Sequence, residues 1–385
     1  MTKMFYESLF WYNKGMKNAE IVLRNAFEKS GIVVGGKEPW DIQVHDARFY
    51  DRVLSGGTLG FGESYMDGWW DAGAVDQLIY KILQNDLQNH IKINAKLVWS
   101  FVQAKLTNYQ KTRAFEVGER HYDIGNDLYE KMLDKRLAYS CGYWKGAKTL
   151  DEAQEAKLDL ICRKIGLKPG DSVADIGSGW GSFLLFAAEK YGAHGTGVTV
   201  SKEQVAYVDA HKGALPVETR LQDYRMLEGT FDHVVSVGMF EHVGYKNHRE
   251  YMQKVHSILK DDGYFLLHTI GGNITRLDNE PWTAKYIFPH GTVPSIKQIG
   301  DAADNLFSME DWHNFGPDYD PTLMAWAANF DAHWSELKGS YDDRFYRMWK
   351  YYLLSCAASF RMRHLQLWQV VFSKIGKKGK YLSVR

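Results

Sequence analysis

The sequence predicts an α/β fold: a doubly wound parallel sheet with helices on both faces, preceded by a smaller α+β domain and joined to it by a helical linker. Three observations predict it. Pro169-Gly170 turns the chain into a short apolar strand at Val173, Ala174 and Ile176; Gly177, Gly179 and Gly181 then make a bare loop, and Phe183 to Lys190 opens a helix closed by Gly192. Further apolar runs from Gly195 to Ser201, up to Gln222-Asp-Tyr-Arg, from Phe231 to Gly238 and from Tyr264 to Gly271 alternate with helical stretches. Between Asn89 and Phe115 a long amphipathic stretch, with Ile93, Leu97, Phe101 and Leu106 near one side, separates this alternation from what precedes it.

Taken in order, the chain opens with a helix from about Asn18 to Gly31, whose Ala19, Val22, Leu23 and Ala26 share a stripe. Gly35 and Gly36 break it, and Trp40-Asp-Ile-Gln-Val-His alternates like an edge strand. Gly57 to Asp71, rich in glycine and aromatics, reads as a turn-rich packing segment. These residues form a domain at 1–90, the linker occupies 91–118, and 119–385 form the second domain. The linker carries Lys92, Lys96, Lys111 and Arg113, so it fits a membrane surface, a partner subunit or a solvated connector. Thr149-x-x-Glu152 reads as a capping box for a helix whose Leu158, Ile161 and Ile165 share a face, with Cys162 in the core. The tail after Ser373, with Lys374, Lys377, Lys378 and Lys380, reads as a solvated end or a surface contact.

At 385 residues the length fits two domains, and 45% hydrophobic with 24% charged residues is an ordinary globular mix. Lys plus Arg equal Asp plus Glu at 47 each, so no global field draws the chain to nucleic acid. Three scattered cysteines fit neither a disulfide framework nor a metal site and point to a reducing compartment. Glu7 soon after Lys3 argues against a signal peptide, and no apolar run approaches the roughly 20 residues of a membrane span. The expectation is a cytoplasmic protein, peripheral at a membrane at most.

Ligands of such sheets bind beyond the carboxyl ends of the strands. The first strand delivers Asp175 and the three glycines. The second delivers Thr199, Ser201 and Gln204, the third Gln222 and Asp223, the fourth Glu241, and the fifth His268 and the Ile270 carbonyl. Taken singly, several have ordinary roles: Glu241 as a helix-terminal carboxylate, His268 as a satisfied core histidine, Cys141 as a small buried hydrophobe. The spacing Gly-x-Gly-x-Gly behind Asp175 is not the Gly-x-Gly-x-x-Gly of dinucleotide folds. It resembles motif I of the class I S-adenosylmethionine-dependent methyltransferases, whose Rossmann-like sheet binds a sulfonium donor.

The wider pattern resembles the cyclopropane-fatty-acyl-phospholipid synthases. The matching stretches include Gly62-Glu-Ser-Tyr-Met-Asp-Gly-Trp-Trp-Asp, His121-Tyr-Asp-Ile-Gly-Asn, Tyr139-Ser-Cys-Gly-Tyr-Trp and the glycine loop. They continue with Val237-Gly-Met-Phe-Glu-His-Val-Gly, Leu267-His-Thr-Ile-Gly, Glu310-Asp-Trp-His-Asn-Phe-Gly and Gln366-Leu-Trp-Gln-Val-Val-Phe, over about Asp41 to Phe372. Ser178 stands where that family usually has Cys, a small-for-small change of little expected consequence for the cofactor.

The resemblance implies transfer of a methyl carbon from S-adenosylmethionine to the cis double bond of an unsaturated phospholipid acyl chain. A carbocation then loses a proton to bound bicarbonate or carbonate, and a cyclopropane ring closes. A methyl- or methylene-branched product is the alternative. By motif match Cys141, Glu241, His268, Tyr319 and the Ile270 carbonyl hold the anion. Tyr139, Ser140, Asp175, Gly177, Gly179, Gly181, Thr199, Ser201, Gln204, Gln222 and Asp223 bind the cofactor. The resemblance further implies a lipid- or membrane-engaging domain at 1–90, a homodimer, and a place at the inner face of the cell membrane, with no nucleic-acid partner. An alkene is a weak nucleophile and a carbocation is trapped by water, so such a site has to be aligned and dry.

Overall fold

The computed structural model describes residues 19–85, Leu87, 125–289 and 291–385. The linker stretch from Asn89 to Phe115 and the residues His121 to Ile124 lie outside them. The chain divides into two compact units: the described part of Met1–Gln103 with Glu280–Ile287 and Trp334–Met362, and the described part of Ala104–Asn279 with Phe288–His333 and Arg363–Arg385.

The first unit is built around aromatic rings. Its opening helix, residues 19–29, buries Ala19, Leu23 and Phe27, while Val22 is 50% exposed; the apolar stripe runs one residue round from the predicted one. The predicted edge strand shortens to Gln43–Val44 (β1), which pairs antiparallel with Trp70–Asp71 (β2). Asp41 is the reason: its carboxylate accepts from the backbone N–H of Val33 at 2.7 Å and of Glu38 at 2.9 Å, so the backbone ahead of Ile42 is turned and not extended.

The glycine-rich segment is not a set of turns. It lies in the helix Arg48–Met66, kinked at Gly57 (φ 55°, ψ −134°). Its glycines allow close approach: a Cβ on Gly60 would sit 2.2 Å from the Arg52 carbonyl, and one on Gly62 would sit 2.5 Å from the Trp282 ring. Phe49, Phe61, Tyr65, Trp70 and Tyr351 close the core with their rings tilted against one another. The distant stretches of chain are tied in by charge as well: Lys285 pairs with Glu63 at 2.5 Å, and Arg361 with Asp76 at 2.8 Å.

The second unit holds a seven-stranded sheet. Its strands are Ser172–Ile176 (β3), His194–Thr199 (β4), Val217–Leu221 (β5), Phe231–Val237 (β6), Leu259–Gly272 (β7), Phe307–Asn314 (β8) and Leu365–Lys374 (β9). They lie in the order β5-β4-β3-β6-β7-β9-β8. The first five are parallel, as predicted; β9 runs antiparallel between β7 and β8. The sheet is therefore mixed: β9 runs against the other strands, and the edge strand β8, antiparallel to β9, runs parallel to β7.

Both faces are covered. On one, the helices His248–Ile258 and Ile296–Ala303 pack on Ala174, Val234, Phe265, Leu267 and Trp368; on the other, Leu150–Ile165 and Ser182–Tyr191 pack on Val173, Val235, Leu266 and Val371. This alternation of neighbouring residues between two apolar layers is what makes the strands read as continuous apolar runs.

Caps follow the predicted chemistry with one change. Thr149 accepts from Glu152 N–H, but the Glu152 carboxylate returns to the Lys148 N–H at 2.7 Å and not to that of Thr149. Both capping-box bonds form instead at Ser295 and Gln298. The basic tail is docked and not free: Lys374 pairs with Asp261 at 3.0 Å, Arg385 pairs with Asp311 at 2.6 Å, and Tyr381 meets the Tyr264 ring edge to face at 5.3 Å.

Candidate active site

The strand order reverses between β3 and β6, and there two loops meet. Gly177, Gly179 and Gly181 leave β3 at φ 84°, 54° and 76°, a region only glycine enters freely. A Cβ on Gly177 would meet Met239 at 2.6 Å and one on Gly181 would meet Val208 at 2.8 Å, whereas one on Gly179 would meet nothing within 4 Å. Gly177 is thus glycine for packing, and Gly179 leaves an open side toward which backbone can be approached. Asp175, at the end of β3, is buried; its Oδ1 has no hydrogen-bond partner and burial pushes its carboxyl up to about 7, against the pull of Lys157.

Beyond β6, the turn Phe240–His242 carries Glu241. Its Oε1 accepts from the Ile270 N–H at 2.6 Å, while Oε2 is buried without a partner. Burial lifts this carboxyl to about 7, against the bond from Ile270. His268 lies opposite Val237 on β7, level with the end of β6, and is fully buried. Its ring is held neutral, its pKa pushed well below the ordinary value by burial and then by the charges of Lys157 and Lys164. Its Nε2 has no partner, and Nδ1 stands 3.3 Å from the Gln369 amide nitrogen. The Ile270 carbonyl accepts from the Thr269 hydroxyl at 3.1 Å, while its N–H donates to Glu241.

Cys141 is fully buried, and burial first, then Asp318, raises its thiol well above the ordinary value. It is a donor and not a thiolate. The next residue, Gly142, donates its N–H to Thr322 Oγ1 at 3.1 Å, on the helix Tyr319–Leu337. That helix carries Tyr319, whose ring meets Trp326 edge to face at 6.0 Å; Tyr139 lies 5.3 Å from the same indole. Phe315, just ahead, meets His268 at 5.9 Å. Cys141 is thus tied through Gly142 to the helix that carries Tyr319, while His268 and Ile270 lie on β7 and Glu241 is hydrogen-bonded to that strand.

Other predicted cofactor residues are tied to one another. Ser201 caps the helix Lys202–His211 through the Gln204 N–H, and Thr199 Oγ1 donates to Gln204 Oε1 at 2.5 Å, leaving Gln204 Nε2 buried without a partner. Gln222 donates to the Met226 carbonyl at 2.8 Å, and Asp223 is paired with Arg225 at 2.5 Å. Ser140 Oγ accepts from Lys157 Nζ at 2.8 Å, and Gln154 Nε2 donates to the Ser140 carbonyl at 2.7 Å.

Lys157, Gln154 and Gln369 were not among the predicted residues. Lys157 is 1% exposed and burial lowers its pKa to about 8, against Asp134, Cys141 and Asp175. The signal was present in the sequence: Gln154, Lys157, Ile161 and Lys164 fall on one helical face, and a polar residue repeated on an apolar stripe asks for a buried partner.

Residues 109–370 match the family model described as mycolic acid cyclopropane synthetase. The cyclopropane-fatty-acyl-phospholipid synthase of Escherichia coli (strain K12) is 49% identical over 359 residues, 93% of this chain and 94% of that one. The chain belongs to the cyclopropane synthase family. It is accordingly an enzyme of the methyltransferase class. Solved relatives agree on the fold. The cyclopropane synthase MmaA2 of Mycobacterium tuberculosis superposes with a TM-score of 0.64 at 33% identity, over 68% of this chain and 98% of its own. The mycolic acid cyclopropane synthase CmaA1, complexed with SAH and CTAB, gives 0.63 at 31% over the same shares.

Proposed function

We propose that this cyclopropane synthase acts on an unsaturated phospholipid, adding the methyl carbon of S-adenosylmethionine across a cis double bond of an acyl chain and closing the ring after loss of a proton to bicarbonate. The observation that carries it is a pair of unpartnered buried atoms: Glu241 Oε2, on the turn after β6 whose Met239 lies against Gly177, and His268 Nε2, on the neighbouring β7. A small ion with several oxygens satisfies both kinds of atom. The open side of Gly179 and the bare Asp175 Oδ1 fit a cationic, nucleoside-bearing donor in the same way.

When bound, the sulfonium offers an electrophilic methyl carbon, and bicarbonate offers a base. The chain's own residues do the rest. Ile270 N–H fixes one oxygen of Glu241 and leaves the other turned to the ligand. Cys141 is a neutral thiol whose S–H is donated to the Gly142 carbonyl at 3.1 Å, and with Tyr319 it is assigned to the anion by the family resemblance. Cys141, His268, Trp326 and Gln369 are all fully buried, so water that would trap a carbocation is kept out. An anion about 4 Å from a forming cation contributes roughly 4 kcal/mol at an effective dielectric near 20.

One feature supports a phospholipid substrate. The match to the Escherichia coli phospholipid synthase spans 93% of the chain, including the first unit, whereas MmaA2 covers only 68% of it. A homodimer at the inner face of the cell membrane completes the reading. Incubation with S-adenosylmethionine and vesicles of unsaturated phospholipid tests it. Loss of olefinic protons with appearance of high-field cyclopropyl protons is expected; unchanged lipid, or a methyl- or methylene-branched chain, overturns it.

A further inference from the structure

β7 and β9 pair antiparallel with His268 directly opposite Gln369, and both side chains are fully buried. The amide nitrogen of Gln369 lies 3.3 Å from Nδ1 of the ring. An amide nitrogen donates and never accepts, so Nδ1 is the acceptor. A neutral imidazole has a single N–H, which therefore sits on Nε2. Nε2 is the ring atom without a partner, and two residues along the same strand Ile270 holds Glu241 with its Oε2 free.

We propose that Gln369 is a positioning residue: its amide sets His268 in the Nε2–H tautomer, so the ring presents a hydrogen-bond donor, not a base, to an oxyanion bound beside Glu241. The tautomer follows from the amide nitrogen of Gln369, not its buried and unpartnered Oε1, facing Nδ1; the identity of the oxyanion as bicarbonate rests on the function proposed above. The assignment divides the labour in the site. His268 orients and stabilises the anion, and proton removal falls to the anion itself. Turning the amide over would bring Gln369 Oε1 to Nδ1, place the proton there, and leave Nε2 bare. One torsion angle thus decides whether the histidine donates or accepts.

Long-range proton–nitrogen NMR on protein labelled with 15N-histidine reads the tautomer directly, with His268→Asn used to assign the ring. The ligand-free wild type is expected to show Nε2 protonated; a proton on Nδ1 overturns the proposal, with no variant needed. Gln369→Glu places a carboxylate that accepts from Nδ1–H, and is expected to move the proton to Nδ1; retention on Nε2 overturns the role of Gln369. Gln369→Met, an apolar replacement of similar size, is expected to leave a mixture of tautomers, and an unchanged spectrum counts against the proposal equally. In turnover, Gln369→Met should raise the bicarbonate concentration for half-maximal rate by about tenfold or more, with KM for S-adenosylmethionine unchanged. A wild type with Nε2 protonated but a rate indifferent to bicarbonate would reject the proposed function and leave the tautomer standing.

Discussion

Glu241 and Lys157 are two buried ionisable groups, and each makes the site sensitive to pH in a definite direction. The Glu241 carboxyl is raised from 4.5 to about 7, first by burial. Between those values the unfolded chain has released its proton while the folded chain keeps it. The contribution to stability is therefore fully present below pH 4.5 and lost as pH rises through about 7, roughly 3 kcal/mol in all. Glu241→Gln cannot ionise, so its stability relative to wild type should grow by about that much between pH 5 and pH 8 in bicarbonate-free buffer. Urea unfolding at several pH values measures it. The histidines lowered by burial titrate in both proteins and cancel in the difference, and parallel pH profiles would contradict the assignment.

Lys157 acts on Asp175. Its charge opposes the rise of the Asp175 carboxyl, so removing it moves that carboxyl further above about 7. If the ionised Asp175 helps to hold the cationic donor, Lys157→Met should raise KM for S-adenosylmethionine at pH 7 and lose much of that defect by pH 9. A KM profile that keeps the wild-type shape from pH 6 to pH 9 would show that Lys157 serves only to hold Ser140.

The glycine loop is the element that joins fold to function, and its members differ in kind. Gly177→Ala would carry strain at φ 84° and drive a Cβ to 2.6 Å from Met239. It should lower stability by about 2 kcal/mol or more. Gly179→Ala meets nothing within 4 Å, so its fold should lose only the roughly 1 kcal/mol of a left-handed alanine. Its methyl, however, stands on the open side of the loop, and donor binding should weaken at least about tenfold. Thermal unfolding and calorimetric titration with S-adenosylhomocysteine separate the two effects. Equal stability losses with equal binding would contradict this division.

At the scale of the whole molecule, the parallel half of the sheet was legible because β3, β6 and the second half of β7 are buried on both faces and read as apolar runs between turns, while β4 and β5 follow from their spacing between helical stretches. The strands β8 and β9 were not: β8 lies at a sheet edge with the adjacent acids Glu310 and Asp311 and a register shift after Met309 that break any regular alternation, and β9 pairs with strands far away in sequence, which no local pattern announces. The glycine-rich segment was misread because glycine serves turns and close packing alike. Gly60 and Gly62 belong to the second kind, a fact that depends on Arg52 and Trp282 being where they are. In the site, chemistry-bearing residues at strand ends stood out, whereas Gln369 and Lys157 reach it from β9 and a covering helix, and only the fold brings them there. The same dependence makes the pocket's shared claim testable as a unit.

Under the proposed function, the site formed by Glu241, His268 and Ile270 works only with a small oxyanion in it. The most direct measurement is turnover of unsaturated phospholipid vesicles in buffer stripped of carbon dioxide, before and after bicarbonate is restored. A fall of at least about tenfold that bicarbonate reverses in the wild type, and fails to reverse in Glu241→Gln, is the predicted result. Equal rates in stripped and replenished buffer would contradict it.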